Sequence, residues 1–144
     1  MSPPDQHDRL FVAFSLGLQV VLVIFFALRT WDFPAALQVG WLVYALGLPA
    51  VVLSVVLSRA GKAWSLVAAG LLFGLWAAVG TVVDLVHPIA WRSPIAWPVF
   101  VPYVFLYTAS QMFYWWPLLR IHRPSWLVFT ALYIASTFLN VTSH

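Results

Sequence analysis

The sequence predicts an all-α fold, a polytopic transmembrane helical bundle, and three observations carry that reading. Of 144 residues, 63% are hydrophobic and 17% aromatic, while only 8% are charged. A soluble domain carries about 25% charged residues, so this chain cannot cover a water-facing surface. The apolar residues gather into runs of the length that a hydrocarbon core of about 30 Å needs, roughly 20 residues at a rise of about 1.5 Å. The charges and most prolines fall between or at the edges of those runs. A soluble globule and a disordered regulator are thereby excluded. The absence of cysteine excludes disulfide scaffolds, zinc–thiolate sites, iron–sulfur clusters and thiol catalysis.

Residues 1–9 are polar and proline-containing and read as a mobile tail. The first span, 10–28, ends at Arg29. It reads as a retained helix rather than a signal peptide, because Asp5, Asp8 and Arg9 leave no net positive leader and no small-residue cleavage site follows. Asp32 is placed to cap the second span, 35–58, and Pro49 should kink it by removing one backbone donor. The polar turn Arg59-Ala60-Gly61-Lys62 leads to the third span, 63–87, which Pro88 stops. The fourth span covers 98–119, with Pro102 near its start and Pro117 near its end. The fifth, 125–141, is the shortest and follows Arg120 to Pro124; residues 142–144 form a tail. Without that short span, the bundle has four.

Orientation follows from loop lysines and arginines. With five spans, Arg9, Arg59, Lys62, Arg120 and Arg123 share one side, and Arg29 and Arg92 the other. The richer side, with the N-terminus, is cytoplasmic, which gives a multi-pass protein of the plasma (inner) membrane. The net charge of +3 is scattered, with no basic stripe for a nucleic acid to follow, so no nucleic-acid partner is expected.

Three patterns are candidates for more than spanning. On the third span Gly70, Gly74, Ala77, Thr81 and Asp84 recur at spacings of four and three, which puts them on one helical face. Small residues let helix backbones approach in lipid. The seam therefore suits helix packing within the bundle, a homo-oligomer, or attachment to a larger membrane complex. On the fourth span Tyr103, Tyr107, Ser110 and Tyr114 form a stripe with Gln111 beside it. Thr130, Tyr133, Thr137 and Asn140 offer a complement on the fifth. In hydrocarbon these groups need partners, so they face the bundle interior.

The third pattern lies at the end of the third span. Asp84 and His87 are three apart, which on an α-helix places them on one face, and Arg92 follows. Asp-x-x-His is half of a general-base device and half of a metal site, but no third strong ligand accompanies it. No metal and no cofactor is expected. The histidines do not pair for a haem, since His87 and His122 fall on opposite sides and His7 and His144 lie in the tails. The absence of charge near a midplane excludes voltage sensing and disfavours pumps. The loop after His87 repeats itself, as Pro88-Ile89-Ala90-Trp91 and Pro94-Ile95-Ala96-Trp97. This reads as a stiff aromatic segment at the membrane interface.

The stretch Trp97-Pro98-Val99-Phe100-Val101-Pro102, with Leu106-Tyr107, resembles a segment of the TspO/translocator family. There a Pro-Trp-Pro-rich loop leads into a helix, in five-span, Trp-rich proteins that bind apolar ligands such as porphyrins and sterols. The resemblance covers this stretch alone. It leads into the fourth span here and the second in that family, so no residue roles carry over.

Together these patterns suggest a non-catalytic protein in contact with membrane lipids. It would bind an apolar or amphipathic small molecule or lipid in a cavity open to the outer face. Tyr103, Tyr107, Gln111 and Tyr114 would line the cavity, and Asp84, His87 and Arg92 would orient the ligand's polar end. One alternative is an accessory or assembly subunit held by Gly70, Gly74, Ala77 and Thr81. Another is an intramembrane enzyme on a lipid-like substrate, with His87 as base and Asp84 as its orienter.

Overall fold

A computed structural model describes residues 2–143; Met1 and His144, the ends of the two expected tails, lie outside it. The fold is an all-α helical bundle, with no strand among the described residues. The helices are α1 (Gln6–Trp31), α2 (Phe33–Ala45), α3 (Gly47–Arg59), α4 (Trp64–Thr81), α5 (Trp97–Ile121) and α6 (Arg123–Thr142), and a π-helical turn, Val82–Val86, extends α4.

Helix α1 starts at Gln6, inside the expected tail, because Asp5 caps it. The Asp5 side chain accepts from the Asp8 backbone N–H, and Asp8 returns the bond. Asp32 accepts from the Ala35 N–H at 3.1 Å and so caps α2, as its position suggests. Pro49 acts where expected. The helix is interrupted at Leu46, between Ala45 and Gly47. Proline lacks the N–H that would bond the Ala45 carbonyl, and its ring crowds that carbonyl. Gly61, at φ +67°, ends α3. Its N–H bonds the Ser58 carbonyl and the Lys62 N–H bonds the Leu57 carbonyl, which together satisfy two free carbonyls of the last turn.

Four stretches are long and apolar enough to cross a membrane: Gln6–Trp31, Phe33–Arg59, Trp64–Val86 and Arg123–Thr142. They mark the chain as a membrane protein. The short last span is among them. The stretch that falls outside is α5, although it has 25 residues. Its phenols, prolines and Gln111 lower its apolarity.

The chain divides into two compact units, Tyr44–Phe113 and the described residues on either side of it. In the flanking unit α1 packs against α6. Phe11, Ser15, Leu18, Gln19, Leu22 and Phe26 form the buried stripe of α1. Ser136 of α6 donates to Gln19 at 3.4 Å, Tyr114 packs on Phe11 at 5.6 Å, and Trp115 donates to Thr130 at 2.8 Å. In the central unit α3 packs against α4. A Cβ on Gly70 would meet Ser54 Oγ and the Ala50 carbonyl; one on Gly74 would meet Val51. A Cβ on Gly47 would come within 2.6 Å of Ala77. The seam Gly70, Gly74, Ala77 is thus where α4 receives α3, with Thr81 bonding back to the Ala77 carbonyl at 2.8 Å.

Candidate functional site

The central unit gathers its polar chemistry around one carboxylate. Asp84 sits in the middle of the π turn Val82–Val86. Such turns are uncommon and gather at functional positions. Here the wider turn ends with the His87 N–H on the Val82 carbonyl at 2.8 Å, just before Pro88.

Four donors converge on Asp84. Trp91 Nε1 donates to Oδ1 at 2.9 Å, and Arg92 Nη1 to the same oxygen at 2.8 Å. Arg92 Nη2 donates to Oδ2 at 3.0 Å, and the Tyr44 hydroxyl to Oδ2 at 2.5 Å. A carboxylate offers about four lone-pair positions, so this one is filled. The Tyr44 and Tyr103 hydroxyls lie 2.9 Å apart. Since the single Tyr44 proton points to Asp84, Tyr103 is the donor in that pair. The chain of bonds runs from Tyr103 through Tyr44 to Asp84 and out to Arg92.

Aromatic rings wall the network. Trp91 is buried and packs on Tyr103 at 4.7 Å between centroids. Trp76, also buried, lies 5.2 to 5.4 Å from the rings of Tyr44, Phe73, Tyr103 and Tyr107. Its Nε1 has no hydrogen-bond partner among the described residues. The Arg92 guanidinium lies 3.8 Å from the centroid of the Trp91 ring, close enough for cation–π attraction. Burial opposes the charge on Arg92, but the two bonds to Asp84 outweigh it and raise its pKa above the ordinary arginine value. The Asp84 side chain is 19% exposed and that of Arg92 39%, so the pair runs from the aromatic interior to the surface.

The loop Pro88–Trp97 makes this possible by folding its repeat unequally. The chain reverses between Arg92 and Ile95, around a cis Ser93–Pro94 peptide, with the Ala96 N–H on the Trp91 carbonyl at 2.8 Å. The first tryptophan, Trp91, turns inward to Asp84, while Trp97 is 61% exposed at the start of α5.

No family model, curated protein or solved structure matches this chain. The geometry therefore stands by itself.

Of the residues singled out from sequence, Asp84, Arg92 and Tyr103 come together, and Tyr107 joins them through Trp76. His87 does not. It is exposed and its side chain makes no bond to Asp84, because the π turn breaks the three-residue alignment that an α-helix would give. The Asp84 oxygens are filled by other donors, which leaves no Asp84–His87 pair for base catalysis. Gln111 is fully buried and Tyr114 nearly so, at 0% and 1% exposure. Gln111 lies beside Ser110, whose hydroxyl bonds back to the Tyr107 carbonyl at 2.7 Å. Tyr114 packs on Phe11 and Phe14. Among the described residues, no group of three or more His, Cys, Asp or Glu is placed to hold a metal ion.

Sequence reasoning missed Tyr44, Trp76 and Trp91 as members of this cluster. A signal existed for Tyr44. It is the one phenol of the second span, and a phenol in hydrocarbon needs a partner. Asp84, likewise, needed more donors than one arginine.

Proposed function

We propose that this is a non-catalytic, multi-pass protein of the plasma (inner) membrane that binds an amphipathic small molecule or lipid at the Asp84–Arg92 cluster. The observation that carries the reading is the state of Arg92. Its guanidinium is clamped by Asp84 and laid on Trp91, yet it is still more than a third exposed. Only two of five guanidinium N–H donors go to Asp84 in that clamp. A positioned cation with exposed Ile95 opposite it in the chain reversal, and exposed Trp97 two residues further on, offers a polar anchor joined to an apolar stretch. That pairing suits a molecule with one polar end.

Asp84 acts on the ligand indirectly in this reading, by holding Arg92 in place. Tyr103 and Tyr107 form the wall behind the anchor rather than the lining of an open cavity, because their rings pack on Trp76. Gln111 and Tyr114 are support within their own packing. The seam at Gly70 and Gly74 is filled by α3, so a role in a larger complex has no free seam behind it. The exposed His87, apart from Asp84, gives an enzymatic role no device.

Native mass spectrometry after mild detergent extraction, with no ligand added, tests the proposal. The wild-type chain should carry a small-molecule adduct at near one per chain. Ile95→Asp with Trp97→Ala removes the apolar stretch but leaves the Asp84 network, and should strip the adduct. Bare wild-type protein, or an adduct indifferent to the double substitution, overturns the reading.

A further inference from the structure

The turn between α5 and α6 places a titratable ring where a helix needs an acceptor. His122 is the N-cap of α6. Ser, Thr, Asp and Asn lead at that position, because a side-chain oxygen accepts from a first-turn N–H. Here an imidazole nitrogen does so. His122 Nδ1 accepts from the Ser125 N–H at 3.3 Å, and the Ser125 hydroxyl lies 2.7 Å from the same nitrogen. The next residue along, Trp126, bonds its N–H to the His122 carbonyl at 3.1 Å, and Pro124 has no N–H to bond. The Ser125 N–H is thus the donor that depends on the ring. Ser125 is buried, so leaving that donor without an acceptor is costly, whereas His122 is exposed to solvent protons.

A nitrogen that accepts a hydrogen bond carries no proton. When the imidazole gains one, Nδ1 becomes a donor. It then donates to the Ser125 hydroxyl and turns an N–H against the Ser125 N–H. The imidazolium also puts positive charge at the positive end of the α6 dipole. Arg120 in the last turn of α5 and Arg123 at the start of α6 flank it. Helix α1 packs on α6 and runs parallel to it, since Phe11 meets Tyr114, next to the Trp115 that bonds Thr130, and Gln19 meets Ser136. The start of α1, with Asp5, His7, Asp8 and Arg9, is therefore the end level with the cap. Each of the two carboxylates there accepts from the other's backbone N–H. The arginines oppose a further cation and the carboxylates favour one, but the lone pair sets the direction: acid removes the cap and a rise in pH restores it.

We propose that His122 is a pH-sensitive latch on the start of α6, closed while the ring is neutral and open once it is protonated. Loss of an N-cap shifts the opening of a first turn by about fivefold. The latch lies in the flanking unit and shares no residue with the Arg92 site.

The test uses the full chain in mild detergent and follows amide hydrogen exchange over residues 125–128. Rates are taken at about pH 5 and about pH 8, the two ends of the histidine range, each divided by the intrinsic rate at that pH. The wild-type segment should exchange about fivefold faster at the lower pH. His122→Asn supplies a cap oxygen that does not titrate, and should keep the segment protected at both. His122→Ala should exchange at the faster rate at both. His7→Gln should retain the wild-type dependence, which separates the cap from the histidine of α1. Equal protection of the wild-type segment at the two pH values overturns the inference. So does a pH dependence that survives in His122→Asn or vanishes in His7→Gln, or a His122→Ala segment as protected as wild type at the higher pH.

Discussion

The buried polar residues of the flanking unit are neutral, whereas the central unit adds to its own, Ser54, Ser110 and Gln111, a half-buried carboxylate that collects four donors. In the first, the buried polar residues are Ser15, Gln19, Ser125 and Ser136, with Ser136 bonded to Gln19, and half-buried Trp115 donates to Thr130. In the second, Asp84 takes donors from Tyr44, Trp91 and Arg92 at once. The backbone differs in parallel. The interruption at Leu46 lies two residues after Tyr44, and the π turn contains Asp84. A neutral hydrogen bond in a membrane bundle contributes about 0.6 kcal/mol on average, and its loss is easily absorbed. A carboxylate held in an apolar setting has no such latitude, because losing a partner leaves a buried charge uncompensated.

The comparison is broken most directly at Asp84. Asp84→Ala leaves Arg92, Trp91 and Tyr44 without their shared acceptor. Breaking a buried ion pair costs about 3–5 kcal/mol, and the partial exposure of Arg92 places this case near about 3 kcal/mol. Thermal denaturation in detergent should show the largest loss of any single substitution considered. A midpoint within a degree or so of wild type would mean that the network is incidental to the central unit.

Next in size is a change that adds no polar term. Gly70→Ala drives a methyl group into Ser54 and the Ala50 carbonyl, and overpacking of this kind costs about 1–3 kcal/mol. Gly17→Ala in α1 meets nothing within 4 Å. There the gain in helix propensity, about 0.5–1 kcal/mol, should dominate. The two substitutions, identical in chemistry, should shift the melting midpoint in opposite directions. Shifts of the same sign would show that α3 does not sit on the Gly70 face.

What the sequence made legible follows the same division between local and distant contacts. The caps at Asp32, the interruption before Pro49 and the stop at Pro88 rest on residues within a turn or so of one another, and each was readable from backbone chemistry. The Gly70–Gly74–Ala77 face was readable because α4 keeps its regular period there. The Asp84–His87 pairing failed because that period fails, at a π turn that no spacing rule signals. Tyr44 meets Asp84 across 40 residues and Tyr103 across 59. Nothing in either local sequence names its partner. The two copies of Pro-Ile-Ala-Trp look equivalent, and only the chain reversal after Trp91 decides which one turns inward. In the tyrosine stripe of α5, the register did not reveal that the Tyr103 hydroxyl would meet Tyr44, or that the Trp76 ring would pack on both Tyr103 and Tyr107.

The smallest effect is expected in the flanking unit, at Thr130. Its hydroxyl accepts from Trp115 Nε1 at 2.8 Å and donates to the Trp126 carbonyl at 2.7 Å. Thr130→Val keeps the shape and removes both roles. The Trp126 carbonyl also belongs to the helix, so the loss that counts is the acceptor for Trp115. The same unit already holds a half-buried indole, Trp126, whose buried Nε1 has no hydrogen-bond partner among the described residues. An unpartnered indole N–H is therefore tolerated in this setting, with a tilted neighbouring ring at 5.4 Å to pack against. The expected loss is about 0.6 kcal/mol, no more than about 1.7 kcal/mol, and well below that of Asp84→Ala. Equal losses at Thr130 and Asp84 would mean that charge is not what separates the two units, and that geometry alone sets how tightly each is held.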